Sequence, residues 1–219
     1  MTEPKSTTAT DVATGGGPDP MELTLHALRI KGMAAISALQ ALTGLDEEVL
    51  ADALVRMESA GRAAFLDRRS LWRITPEGRE HHAVVVAGFL DEISREKLAT
   101  LYEGEFLTIN ADVKATCSDW QIRDGNPNEH DDDDYDAEVV DRLASTHERA
   151  LTTLAKMTSA PDHLELYPAR LETALRALRD GETKRFTGFG CDSYHDIWME
   201  LHEDLLQILG IDRAVEGSS

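Results

Sequence analysis

The sequence predicts a mostly α-helical protein in two parts, three short helices with a β-hairpin and then an all-helical bundle. Three observations carry that expectation. Apolar residues recur at spacings of three and four over most of the chain. The helical period lapses once, near residues 63–74, where two short apolar runs flank a polar turn. The charge is also uneven: 41 Asp and Glu stand against 22 Lys and Arg, a net −19. Residues 1–20 hold one basic group against three acids, residues 21–84 eight against nine, and residues 85–219 thirteen against 29. The acidity therefore belongs to the third segment and marks a boundary near residue 85.

Residues 1–20 are rich in Thr, Gly, Pro and Asp, lack an apolar period, and read as a disordered tail. Leu23, Leu25, Leu28 and Ile30 share one face of a first helix, which Gly32 stops. Residues 34–42 form a second, ended by Thr43-Gly44. Asp46 is placed to cap a third, in which Val49, Leu50, Ala53, Leu54 and Met57 repeat up to Gly61. Ala63–Leu66 and Leu71–Ile74 are strand-like around the turn Asp67-Arg68-Arg69-Ser70. Thr75-Pro76-Glu77 opens a new helix, with Thr as cap and Pro at the first helical position.

From Val84 the chain reads as helical. Phe89–Leu107 continues the helix after the hairpin, with a break expected at Gly104. Leu98, Leu101, Tyr102, Ile109, Val113, Thr116 and Trp120 keep one stripe. Residues 123–136 are a loop whose start, Asp124-Gly-Asn126-Pro-Asn128, imitates a calcium loop. Glu129 replaces its sixth-position Gly and Tyr135 its final Glu, so a solvated turn is expected. Helices follow over 137–157, 171–178 and 193–209, with a break at Gly188-Phe189-Gly190. This part reads as an all-α bundle.

Composition narrows the function classes. At 42% hydrophobic the chain can bury a core. No apolar run approaches the ~20 residues of a membrane span, and the N-terminus lacks the apolar core of a secretory signal. A cytoplasmic protein with no membrane association is expected. Cys117 and Cys191 are too few for a disulfide scaffold or a four-cysteine zinc site. No nucleotide-binding loop, nucleophile–base pair or zinc-protease motif is present, so neither an enzyme nor a cofactor is expected.

Three helices, a hairpin and then Thr-Pro-x-Gly have the order of a winged helix-turn-helix. Residues 23–80 resemble winged-helix transcription regulators of the MarR type. The resemblance rests on SALQALTGL at the second helix and turn, VLADALVRMESAG at the recognition-helix position, and a wing followed by ITPEGR. It departs from that family in lacking a preceding dimerisation helix and in the length of the C-terminal part. The resemblance implies double-stranded DNA as partner and an operator-reading role for the third helix. Arg68 and Arg69 at the wing tip, Arg73 on its strand, Arg56 on the third helix and Lys31 before the second are the candidate DNA contacts, because an arginine-bearing wing suits a narrow, negative minor groove. Glu47, Glu48 and Asp52 oppose them, since carboxylates repel phosphates.

The last helix supplies the other candidates. At about 100° per residue, Asp196, Glu200, Glu203, Asp204 and Gln207 form an acidic face expected to be solvated. His195 and His202 fall on the apolar side beside Trp198, and His147 lies in the stripe of the 137–157 helix. Glu105, Asp112 and Asp119 recur every seven residues along the edge of another stripe. Two readings stay open for the imidazoles: separate core histidines, or a ligand pocket walled by His147, His195, His202, Trp198, Trp120 and Tyr194, with or without a metal. The expected protein is a homodimeric DNA-binding transcription regulator whose helical domain senses a small-molecule effector. The alternative is a metal- or small-molecule-dependent helical enzyme with the winged helix as a protein-contact module.

Overall fold

A computed structural model describes residues 18–213. The tail expected over residues 1–20 falls almost wholly outside them. The first helix, α1 (Pro20–Lys31), opens with Asp19 accepting from the Met21 N–H at 2.8 Å and Pro20 in its first turn. It ends at Gly32, whose φ of +68° suits a residue without Cβ. A two-residue strand, β1 (Met33–Ala34), follows; it is too short to show an alternating pattern, which is why the sequence pattern runs the next helix back to Ala34. After it come α2 (Ile36–Thr43), α3 (Glu47–Ser59), β2 (Ala63–Leu66), β3 (Leu71–Ile74) and α4 (Pro76–Val86). The strands form one antiparallel sheet in the order β1-β3-β2, with Ala34 opposite Trp72 and Phe65 opposite Trp72 on its other side. The Thr75 hydroxyl accepts from the Gly78 N–H at 3.0 Å, as expected of a cap, whereas Asp46 makes no side-chain cap.

The helix after the hairpin does not run on through Phe89. It stops at Val86, and Asp91 caps a fresh helix, α5 (Glu92–Leu101), by accepting from the Ser94 N–H at 2.7 Å. Gly104 does not break the chain. It lies in a π-helical segment, Tyr102–Phe106, that joins α5 to α6 (Leu107–Gln121) without leaving helical dihedrals. A small hairpin, β4 (Ile122–Arg123) and β5 (Asn126–Pro127), occupies the calcium-like loop. The rest comprises α7 (Asp133–Leu154), a 3-10 turn (Asp162–Glu165), α8 (Leu166–Arg179), α9 (Lys184–Thr187) and α10 (Tyr194–Leu209). The protein is thus mostly helical, with two small antiparallel sheets among the described residues.

The buried apolar residues form one continuous cluster from Leu25 to Ile208. Its pivot is α1. Six successive residues, Leu23–Leu28, are buried, so this helix is covered on every side rather than on one stripe. It packs on α3 and α4 on one flank and on α10 on the other, while α2 packs on α8. Each fully covered leucine contributes about 1.5–3 kcal/mol. Arg95 on α5 pins the end of α10 by donating to the Ile208 carbonyl, and it donates to the Ala87 carbonyl at 2.8 Å.

Along α6 and α7 the seven-residue repeat of acids meets a seven-residue repeat of bases. Asp119 pairs with Arg142 at 2.7 Å, Asp112 with Arg149 at 2.6 Å, and Glu105 with Lys156 at 2.8 Å. The two helices are antiparallel, so one period on each keeps all three pairs in step. The three pairs fix the helix register, and Glu105 and Arg149 also border an open cleft of about 450 Å³.

Candidate functional site

The first region that can meet a partner is the face of α3 and the β2–β3 hairpin. The principal packing partners of α3 are α1, α2 and β2, so its outer side is bare. Glu47, Glu48, Val49, Asp52, Val55, Arg56 and Ser59 are exposed there. Asp52 and Arg56 face one another at 3.4 Å with both side chains about two-thirds exposed, a pair worth little. On the hairpin, Arg68, Arg69 and Arg73 are exposed, and Phe65 tilts on Trp72 at 5.0 Å to stiffen the ribbon. Lys31 stands apart from this set. Its ammonium pairs with Glu200 of α10, which also accepts from Arg170 at 2.8 Å, so Lys31 ties α1 to the helical part.

Of the six expected ligand-binding residues, the structure brings His147, Tyr194 and Trp198 together, with Tyr194 stacked on Trp198 at 6.5 Å. His147 is buried between the Tyr194 hydroxyl at 3.2 Å and the Glu172 carboxylate at 2.9 Å. His202 meets the Tyr102 hydroxyl at 3.0 Å, and burial, aided by Arg213 and Lys114, lowers its pKa to about 4. Trp198 stacks on Phe106 at 5.1 Å and donates to Asn110 at 2.9 Å. Trp120 lies against Phe186 and His130. Burial drives the Tyr194 hydroxyl to a raised pKa. His195, half-buried, lines a cleft. That cleft, of about 1080 Å³, runs between α1, β1 and α2 on one side and α10 on the other, with Arg29, Lys31, Met199 and Glu200 in its walls.

The face of α10 expected to be solvated is instead the side that meets α1. Asp204 is fully buried, and Glu200 is nearly so against Lys31 and Arg170. The helical wheel separates polar from apolar directions correctly. It cannot show that another polar set covers the polar direction.

Asp204 is the hub of a buried polar cluster. Its Oδ1 lies 2.8 Å from Nε2 of His26 on α1, and its two oxygens lie 3.2 and 3.1 Å from Nε2 of His163 in the 3-10 turn. The Tyr167 hydroxyl donates to Oδ2 at 2.9 Å. Behind His26, its Nδ1 stands 2.8 Å from Nε2 of His82 on α4, with the two rings nearly parallel. Burial alone would raise the Asp204 carboxyl, but the His163 and His26 rings hold it well below the usual carboxylate range. His82 is pushed down to about 3, first by burial and then by His26 and Arg29, and is neutral at pH 7. Burial and the neighbouring Asp204 and Glu200 carboxylates raise Tyr167 well above 10, so it stays a phenol and a donor.

Sequence reasoning missed His26, His82, His163, Tyr167 and Asp204 as a group. One signal was present: in Leu23-Thr-Leu-His-Ala-Leu28 the histidine sits in a run with no charged residue, on a helix too apolar to face water on any side. Chemically the cluster can hold a buried proton or, through His26, His163 and Asp204, a cation. No family profile, curated protein or solved structure matches the chain.

Proposed function

We propose that the protein is a double-stranded-DNA-binding transcription regulator, with α1–α4 and the β1-β3-β2 sheet acting as a winged helix-turn-helix. The observation that carries this reading is the uncovered face. The helical part packs on α1 and α2 and leaves α3 and the hairpin bare, with Arg68, Arg69 and Arg73 pointing outward. Since α3 carries Glu47, Glu48 and Asp52, the hairpin arginines rather than α3 supply the phosphate attraction. No helix among the described residues is long and apolar enough to cross a membrane. In this reading the protein works as a cytoplasmic homodimer, and an effector enters the cleft beside His195. Because that cleft lies along the seam where α10 meets the module carrying α3, occupancy would favour one tilt of the two parts over another.

Fluorescence anisotropy with a labelled mixed-sequence duplex at low salt tests the reading. Wild-type protein should bind, with affinity falling linearly on a log–log salt plot. Arg68→Ala with Arg69→Ala should bind more weakly across all sequences, with a slope shallower by about two units. A wild-type protein that shows no duplex affinity at low salt would remove the proposal.

A further inference from the structure

We propose that Nε2 of His26, Nε2 of His163 and Oδ1 of Asp204 form a binding site for one divalent cation of the zinc class, set in the seam between α1 and α10. This goes beyond the DNA-binding reading and stands or falls independently of it. The three donor atoms lie within 4.8 Å of one another and all three residues are buried. Two imidazoles and a carboxylate suit Zn²⁺, which takes Zn–N and Zn–O bonds of about 2.0–2.2 Å in a near-tetrahedral shell. Donors in such a shell stand roughly 3.3 Å apart. The 2.8 and 3.2 Å separations from Oδ1 therefore need to open by only a few tenths of an ångström.

The surroundings do what an outer shell does. Tyr167 holds Oδ2, leaving Oδ1 as the one oxygen on which both Nε2 atoms converge. In the empty network the His26 Nε2–H donates to Asp204, and metal binding at Nε2 requires His26 to carry its proton on Nδ1 instead, with Nε2 of His82 at 2.8 Å able to accept it. His163 is held through Nε2 alone. Its buried Nδ1 has no protein hydrogen-bond partner, so no protein group fixes the tautomer of that ring. The same residue borders a cleft of about 200 Å³, walled by Pro18, Leu23, Thr43, Asp162 and Leu166, so one ligand of the set stands next to solvent. On binding, each ring coordinates through a bare Nε2 with its proton on Nδ1: a ring protonated at both nitrogens releases the Nε2 proton to solvent, and a neutral Nε2–H ring loses that proton and takes one up at Nδ1.

The experiment uses full-length protein stripped with a chelator and titrated with Zn²⁺, followed by gel filtration, metal analysis and X-ray absorption of the loaded protein. One equivalent should be retained, with an N/O shell showing two imidazoles. Retention should be lost in His163→Ala and kept in His130→Ala, a histidine on the distant loop after β5. Failure to retain stoichiometric zinc, unchanged retention in His163→Ala, or a shell without two imidazoles would each overturn the proposal. If His163→Ala does not fold by circular dichroism, the wild-type absorption spectrum alone decides.

Discussion

Gly78 and Gly104 are both glycines in helical segments, and replacing each with alanine should have opposite effects. A Cβ on Gly78 would sit 2.1 Å from the Arg62 carbonyl oxygen and 2.9 Å from a side-chain carbon of Ile74. That is more than an ångström short of ordinary contact with rigid backbone, so the start of α4 must retreat from the start of β2. The retreat disrupts the bond from the Thr75 N–H to the Arg62 carbonyl at 3.1 Å and that from the Thr75 hydroxyl to the Gly61 carbonyl at 2.7 Å, and it loosens the Thr75 cap. At about 1 kcal/mol each these cost ~3 kcal/mol. Alanine returns about 1 kcal/mol through helix propensity, leaving a net loss of ~2 kcal/mol. A Cβ on Gly104 meets nothing within 4 Å, so Gly104→Ala should gain about 0.5–1 kcal/mol. Urea unfolding followed by circular dichroism reads both. A Gly78→Ala protein as stable as wild type would refute the close-approach account of the Thr-Pro-Glu-Gly corner.

Other outcomes can be checked as directly. Glu47→Gln with Glu48→Gln should tighten duplex binding several-fold at low salt and less at high salt; weaker binding would mean the acids make productive contacts. Trp198→Phe should cost about 1–3 kcal/mol in thermal unfolding, because the buried Asn110 side chain loses its donor. Burial pushes the Cys117 thiol up to about 12, so one equivalent of a thiol reagent should react in native protein at pH 8, at Cys191, and a second only in denaturant. The Lys156 and Thr153 hydrogen bonds hold the Glu105 carboxyl below its ordinary pKa. Its contribution is complete above the unfolded value and is lost as pH falls through the lower folded one, so Lys156→Ala should move its NMR titration upward.

Local signals were legible where the chain interacts with itself over a few residues. The Thr75-Pro76 cap, the stop at Gly32, the 67–70 turn and the start of the last helix at Ser193 are all read from short-range chemistry, and the structure has them. The α4–α5 break was not legible, because Val84, Val85, Val86 and Phe89 keep an apolar pattern across it. The acidic repeat at 105, 112 and 119 was visible, but its role needed the matching basic repeat at 142, 149 and 156, which only antiparallel packing brings opposite. The cluster around Asp204 was the hardest to read. On its own helix Asp204 looks like one more solvated acid, and what buries it is a residue 178 positions away.

That separation has a consequence for how the chain is made. The flank of α1 that receives α10 cannot be completed until α10 has emerged from the ribosome. At roughly 5–20 residues per second, synthesis from His26 to Asp204 takes on the order of 10–35 s. During that interval α1 can dock on α3 and α4, with His26 meeting His82, while the Nε2 edge of His26 and the apolar residues of the other flank wait uncovered. An element translated early is therefore among the last to be finished, and whatever shields the nascent chain must shield this helix until α10 arrives.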